Sequence, residues 1–235
     1  MTKRHGFASF VTLLGGISGA AAAYALLLRP WHLRWGATHA EVTQTLPGDE
    51  LIPQPRLNAT HAITIFAPVE SIWPWLVQIG QGRGGFYSYD WLENLLGLKI
   101  HSAGRILSEH QQLAVGDLIP LAPEKDGKRF GIPVAILEAK RTLVLHGDTR
   151  LDTAAQDMAV AGGFLATSWG WYLQPVSHRC TRLVERFRCD WNPSPLNQLL
   201  MRALMEPGSF IMERKMLLGI KQRAEQRAAG YIELD

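Results

Sequence analysis

The stretch that decides the fold is Ala62–Gly80, which reads AITIFAPVESIWPWLVQIG. Its start, Ala62–Phe66, is rich in β-branched and apolar residues and predicts a short strand that ends at Ala67-Pro68. A helix is expected from Pro68 to Gly80, because proline fits the first helical turn and Glu70 is favoured near the positive end of the helix dipole. An apolar stripe at helical spacing supports this helix: Ile72, Trp75, Leu76 and Ile79.

The rest of the chain extends this pattern into an α+β fold. A second short helix is predicted over Tyr87–Leu96, closed by Gly97. Short strands bounded by turn residues are predicted at 118–121, 133–137, 143–145, 168–173 and 181–190. A long last helix is expected from Ser209 to about Ala228, separated from a shorter helix by Pro207-Gly208. One strand, two helices, a run of antiparallel strands and a terminal helix are typical of the α+β class.

This order and these residues resemble the START-like superfamily, also called SRPBCC. Ala62–Gly80 is similar to the opening strand and helix of that family, and 80–97 and 210–221 resemble a bacterial subgroup. The resemblance spans roughly Asn58–Ala228 and implies a helix-grip fold: a curved antiparallel sheet around a long C-terminal helix, with an apolar cavity between them. It also implies a lipid, sterol, polyketide or hormone ligand, or catalysis in some members, and fold alone does not choose among these. The Pro207-Gly208 break departs from the family pattern and puts the shape of the cavity mouth in doubt.

The N-terminal segment Phe7–Leu28 predicts a transmembrane helix. It runs for 22 residues without Asp, Glu, Lys, Arg or His. At about 1.5 Å per residue such a helix reaches roughly 33 Å, enough to cross a hydrocarbon core of about 30 Å. A cleaved secretory signal is the alternative, because Lys3 and Arg4 precede the run and small residues occur within 20–25. Lys and Arg flank both ends equally, and only the α-amino group favours a domain outside the cytoplasm.

The remaining chain is divided into a linker or extended arm at 29–57 and a ligand-binding domain at 58–235. The arm contains Pro30, Pro47, Pro53 and Pro55, which oppose regular structure. A net charge of +3 with interspersed acids does not indicate nucleic-acid binding. Cys180 and Cys189 fall in one predicted strand, roughly 30 Å apart at about 3.3 Å per residue, so two free thiols are expected.

Two acids stand out at positions expected to face the interior. Strand alternation over 181–189 places Arg182, Arg186 and Arg188 on one face, expected to meet water, and Glu185 on the apolar face. Glu213 falls on the apolar stripe of the last helix. We hypothesise that both carboxylates form the polar end of an apolar pocket, with Arg83 or Arg105 as a partner. The alternative for each acid is a purely structural role.

Large aromatic side chains predict a pocket wall, although core packing is the competing explanation for most of them. The candidate cavity residues are Trp75, Tyr87, Tyr89, Trp91, His101, Arg105, Trp171, Glu185, Phe187, Glu213 and Leu217. The GQGRGG stretch at 80–85 does not predict a nucleotide site, because it follows a helix and no βαβ unit surrounds it. The histidines and cysteines show no metal-binding motif, so neither a metal nor another cofactor is expected.

The leading hypothesis is a non-enzymatic protein, tethered to the cell membrane, that binds a hydrophobic or lipid-like small molecule in an internal cavity. The alternative is a cyclase, dehydratase or hydrolase that uses Tyr87, His101, Glu185 or Glu213 as acid or base. A third possibility is an interaction module whose methionine-rich C-terminal region docks a partner: Met201, Met205, Met212 and Met216.

Overall fold

A computed structural model of the chain describes residues 23–151 and 163–230. One six-stranded antiparallel sheet has the order β1-β6-β5-β4-β3-β2. Its strands are β1 Leu57–Ile65, β2 Leu118–Pro120, β3 Gly131–Glu138, β4 Thr142–Asp148, β5 Leu165–Ser177 and β6 Cys180–Trp191. The long β5–β6 hairpin pairs along nearly its whole length, and β1 closes the sheet beside β6.

The helices lie at the two ends of the described chain and in the β1–β2 connection. They are α1 Arg29–His32, α2 His39–Thr43, α3 Val69–Val77, α4 Asp90–Leu95, α5 Pro195–Leu200 and α6 Glu206–Ala228. Short 3₁₀ turns occur at Asp49–Leu51 and Ser108–His110, and π-helical turns at Tyr24–Leu28 and Met201–Met205. The predicted order of strand, two helices, strands and long helix is therefore confirmed.

The inner face of the sheet packs on α3 and α6 around the main apolar core. Trp75 from α3, Trp171 from β5 and Leu217 from α6 are each fully buried in it. Gly219 brings α6 against the Tyr87 backbone, since a Cβ at this position would lie 2.3 Å from the Tyr87 carbonyl oxygen. An antiparallel sheet packed on a long C-terminal helix is the helix-grip arrangement, so this fold expectation is confirmed.

The outer face of the sheet is covered by residues from the segment predicted as a linker or arm. Leu46 packs there on Val144, Tyr172 and Val184 in a second apolar cluster. The Tyr172 hydroxyl donates a 2.6 Å hydrogen bond to the Pro47 carbonyl oxygen. The segment also pairs with the free edge of β1, whose Thr60 and Ala62 N–H groups donate to carbonyl oxygens at residues 33 and 35. These residues form part of the folded structure.

This cover corrects the expectation that the β6 arginines face water. Arg186 is only 3% exposed, and its guanidinium bonds Asp49 Oδ2 at 2.6 Å and the carbonyl oxygens of Glu41, Val42 and Gln44. Arg182 binds Glu41 at 2.7 Å and Arg188 binds Asp49 at 2.8 Å. The strand alternation was assigned correctly, but the charged face meets acids and carbonyls of 36–53 instead of solvent.

The C-terminal helix begins earlier than its sequence indicates. Pro207 lies in the first turn of α6, and the π-helical turn Met201–Met205 joins α5 to α6 directly. The N–H of Glu206 bonds the Met201 carbonyl oxygen, a wider repeat than the α-helix uses. This widening lets the helical path continue past a residue that has no N–H of its own.

None of the helices formed by residues 23–151 and 163–230 has the length and apolarity that a bilayer-spanning segment needs. Most of the predicted anchor Phe7–Leu28 lies outside the described residues. Cys180 and Cys189 are both free, as expected from their spacing.

Candidate functional site

Three ionisable side chains meet in the interior, between the sheet and α6. Glu185 on β6 is fully buried, and His61 lies directly opposite it on β1 with 1% exposure. Glu213 reaches the same point from α6. The His61 Nδ1 atom lies 3.2 Å from Glu185 Oε2 and 3.2 Å from Glu213 Oε2. The hypothesis that both acids point inward to one polar end is therefore consistent with the fold.

Two further hydrogen bonds fix the orientation of these groups. His61 Nε2 lies 2.9 Å from the backbone carbonyl oxygen of His32, which accepts only, so Nε2 carries a proton. The Trp169 Nε1–H group on β5 donates to Glu185 Oε1 at 2.7 Å. Both Glu185 oxygens are thus engaged, and the imidazole cannot rotate without losing a bond.

The electrostatics of the cluster follow from burial and from the two acids. Burial lowers the pKa of His61, but the hydrogen bonds and charges of Glu213 and Glu185 outweigh it and raise that pKa to about 10. Burial and the neighbouring Glu213 charge raise the pKa of Glu185, against hydrogen bonds from His61 and Trp169. The two shifts favour the protonated forms of His61 and Glu185 in this buried cluster.

A second charged group lies beyond Phe210, whose ring is 5.5 Å from the His61 ring and 5.3 Å from the His32 ring. The centre of this second group is Glu206, which is 2% exposed and pairs with Arg29 at 2.7 Å and Arg202 at 2.8 Å. Burial lowers the pKa of His32, partly opposed by Glu206. This group ties the first residues after the predicted anchor to the start of α6.

The apolar side chains around the site differ in how deeply they are buried. Trp75, Trp171 and Leu217 have no solvent-accessible surface, so no water-sized space lies beside them. Trp169 and Phe187, by contrast, are only partly buried and pack edge to face at 6.3 Å. Phe86 stacks on Trp169 at 6.2 Å. The ring that hydrogen-bonds Glu185 is thus partly exposed, together with its neighbour Phe187.

Several candidate cavity residues do not line the interior. Trp91 is 68% exposed, and Tyr89 is partly exposed beneath Lys215. His101 and Arg105 are exposed and border a separate open pocket of about 480 Å³ beside the 82–83 turn. Trp91 lies on α4 and the other three lie in loops of the same β1–β2 connection, which the sequence pattern did not distinguish from the sheet face.

Two predicted roles within the core also need correction. The Tyr87 hydroxyl donates to the Trp75 carbonyl oxygen at 3.0 Å and takes no part in the His61 cluster. Arg83 donates to the carbonyl oxygens of Val77 and Ile79, so it is not the partner of the two acids. The partners are His61 and Trp169.

His61 was missed because the first strand was predicted to begin at Ala62. The strand begins at Leu57, and the alternation of its residues places Ala59, His61, Ile63 and Ile65 on one face. A polar side chain within that apolar series is the sequence feature that points to the site. Trp169 carried no comparable feature, because it lies opposite Phe187 and reaches Glu185 only diagonally across the β5–β6 pair.

No protein-family model matches this chain, and no curated protein matches it either. Solved structures with a similar arrangement include a conserved protein from Geobacillus kaustophilus at 14% identity, covering 72% of this chain and 96% of that one, with a TM-score of 0.41. A norcoclaurine synthase point mutant from Thalictrum flavum is 12% identical over 72% and 94%, with a TM-score of 0.38. A Polyketide_cyc-like protein from Corynebacterium glutamicum is 16% identical over 76% and 90%, with a TM-score of 0.31. Likeness at this level carries no argument about ligand or reaction.

Proposed function

We propose that this protein binds one small amphipathic, lipid-like molecule at the end of its helix-grip interior where Trp169 lies, while residues 7–28 hold the chain at a membrane. The observation that carries the proposal is the buried cluster of His61, Glu185 and Glu213 beside the partly exposed rings of Trp169 and Phe187. A polar group of the ligand meets the cluster, and its apolar part lies on the rings.

The free-energy cost of burying the His61, Glu185 and Glu213 cluster supports a ligand-binding role. Burying charged groups costs several kcal/mol per ion, roughly, and an apolar replacement of similar volume is often at least as stable. Side chains at the middle of the interior already fill it, so the ligand has to occupy the end near Trp169. Ligand sites in proteins combine an apolar wall with a few convergent polar groups, which is the composition found at this end.

Exposed apolar side chains near the base of the predicted anchor support the tether. Arg29 follows the anchor directly and is paired with Glu206 at the start of α6. Several apolar residues that flank Arg29 or precede Glu206 in the chain are more than two-fifths exposed: Leu26, Leu27, Leu28, Trp31, Leu196, Leu199, Leu204 and Met205. Such side chains are stable at the boundary between headgroups and acyl chains.

Native mass spectrometry of the full chain, extracted gently or in nanodiscs, tests ligand binding. We expect one co-purifying lipid-like species in the wild type and at least a tenfold lower occupancy in Phe187→Ala and Glu213→Gln. Val176→Ala on the exposed end of β5 and Glu138→Gln on β3 are matched controls, because both side chains lie in solvent. A wild type without bound species, or equal occupancy in all variants, overturns the proposal.

Alkaline carbonate extraction of membranes tests the tether separately. We expect the full chain to stay in the membrane pellet and a Leu14→Glu/Ile17→Asp variant to move to the supernatant, because two buried carboxylates oppose insertion.

Cysteine labelling tests on which side of the membrane the domain lies. Cys180 is suited to it, because it is the more accessible of the two thiols. Labelling of Cys180 in intact spheroplasts by an impermeant maleimide supports the extracytoplasmic placement, and labelling only after lysis contradicts it.

Acid–base catalysis in the same site is the second candidate function. Two of the side chains considered as acids or bases, Glu185 and Glu213, converge within 3.2 Å of His61. The test is to incubate the co-purified species with fresh wild-type chain and with Glu213→Gln. Conversion of that species by the wild type alone supports an enzyme, and an unchanged species in both samples supports binding without turnover.

A further inference from the structure

We propose that His61, Glu185 and Glu213 bind one divalent transition-metal ion of the Zn²⁺ type. This metal site shares residues with the proposed ligand site. The evidence for the metal, however, comes from the positions of the donor atoms and does not depend on a bound lipid-like molecule. Metal binding and ligand binding can therefore fail independently. The sequence motifs predicted no metal, because these three residues are far apart in the chain.

The spacing of the donor atoms fits a shared ion. One His61 nitrogen and one oxygen from each acid all lie within 4.8 Å of one another. Zn–N and Zn–O bonds of about 2.0–2.2 Å place neighbouring ligand atoms about 2.8–3.6 Å apart in octahedral or tetrahedral geometry. The two measured Nδ1–Oε2 distances of 3.2 Å fall within this interval.

The hydrogen bonds around the three donors are those that a metal site uses. A metal-binding histidine typically donates its other ring N–H to a carbonyl or carboxylate, which fixes the tautomer. His61 does this through Nε2 and the His32 carbonyl oxygen at 2.9 Å, leaving Nδ1 directed at the acids. Trp169 holds the second oxygen of Glu185 at 2.7 Å, so only Oε2 of this acid remains for an ion.

A divalent ion would balance the charge of the two acids. The three side chains are at most 7% exposed, so a net charge among them is costly. Two carboxylates, a neutral imidazole and a divalent cation sum to zero, which suits a buried position. One nitrogen and two oxygens suit Zn²⁺, Mn²⁺ or Fe²⁺, whereas Ca²⁺ and Mg²⁺ prefer oxygen ligands throughout. Three protein ligands leave a coordination position for water or for a polar group of the ligand.

The experiment uses the full chain, stripped with a chelator and dialysed against Zn²⁺, with bound metal counted by plasma mass spectrometry. We expect close to one ion per wild-type chain and at least a hundredfold weaker binding in Glu213→Gln and His61→Ala. Glu138→Gln on β3 is the control for loss of an exposed acid. Fewer than one specifically bound ion in the wild type, or wild-type affinity in Glu213→Gln, overturns the proposal in favour of an imidazolium held by two acids.

Two further readouts separate metal loss from misfolding. Co²⁺ substitution should give the visible absorption of a nitrogen- and oxygen-coordinated ion in the wild type, and the midpoint temperature of thermal unfolding should rise with added Zn²⁺.

Trp169→Phe keeps all three donors and removes only the hydrogen bond to Glu185. For this variant we expect a tenfold to hundredfold affinity loss at an unchanged apo melting temperature, since outer-shell partners contribute in that range. An unchanged affinity in Trp169→Phe contradicts the assigned orientation of Glu185 and with it the site. Retention of the lipid-like species by a chain that binds no metal overturns this inference only.

Discussion

His61 and Glu185 are direct cross-strand neighbours, and their side chains meet on the inner face of the sheet with Nδ1 and Oε2 3.2 Å apart. The register of β1 against β6 therefore fixes two members of the cluster. The third member, Glu213, comes from α6 and joins them only when that helix lies across the sheet. The candidate site thus depends on the helix-grip packing itself, and a shift of α6 would separate the acids from the histidine.

Replacing His61 with leucine should destabilise the fold. The change leaves Glu185 fully buried without the imidazole that pairs with it, and breaking a buried pair from one side typically costs about 3–5 kcal/mol. Urea unfolding followed by circular dichroism measures the free energy of unfolding. The double variant His61→Leu/Glu185→Gln should recover about half of the loss, because the orphaned charge is gone. A double variant as unstable as the single one would show that volume, and not charge, dominates at this position.

The sequence predicted the site through its acids but not through its histidine. Glu185 and Glu213 could be placed inward because strand alternation and helical periodicity each assign a face without any tertiary information. His61 lies five residues before Phe66, in a part of β1 where Asn58, Thr60 and His61 weaken the apolar pattern. Its role depends on pairing with a strand 124 residues away, which local patterns do not encode.

Replacing Arg186 with methionine should loosen the cover on the outer face. The guanidinium links β6 to Asp49 and to three carbonyl oxygens of the covering segment, while only 3% exposed. We expect a loss of about 3 kcal/mol in the free energy of unfolding and faster amide hydrogen exchange in residues 41–51. Arg129→Met is the control, because Arg129 is 73% exposed and pairs with an exposed Glu124. Unchanged exchange in 41–51 would show that apolar contacts alone hold this segment.

The same region shows what the sequence could not reveal about the outer face. Alternation placed the three arginines correctly on one face, and their charge suggested solvent as their surroundings. The prolines of 29–57 indicated an irregular chain, and irregular chains are often solvated. Only the structure shows that this segment forms short helices, and that it supplies Glu41 and Asp49 to the arginines.

The contact between α6 and Tyr87 predicts opposite effects for two glycines of the same helix. A Cβ at Gly219 would lie 2.3 Å from the Tyr87 carbonyl oxygen, so Gly219→Ala should cost about 2 kcal/mol and push α6 from the core. Gly208 has open space around its Cβ position, so Gly208→Ala should stabilise by about 0.5 kcal/mol through helix propensity. Thermal unfolding of both variants measures this contrast. Equal effects of the two substitutions would contradict the close packing of α6 described above.

Glu93 on α4 predicts a pH-dependent contribution to stability. Burial and then the neighbouring Asp90 charge raise the pKa of Glu93 from 4.5 to about 7 in the folded chain. The folded state therefore holds this proton more tightly than the unfolded state does. The associated stability is fully present below about pH 4.5 and is lost as the pH rises through about 7. The Glu93→Gln variant cannot lose a proton, so its free energy of unfolding should gain about 2 kcal/mol relative to wild type between pH 5 and pH 8. Urea titrations at both pH values measure this difference, with Glu138→Gln as the control for removing one exposed acid. A difference between variant and wild type that stays constant from pH 5 to pH 8 would show that the Glu93 carboxyl is not protonated in the fold.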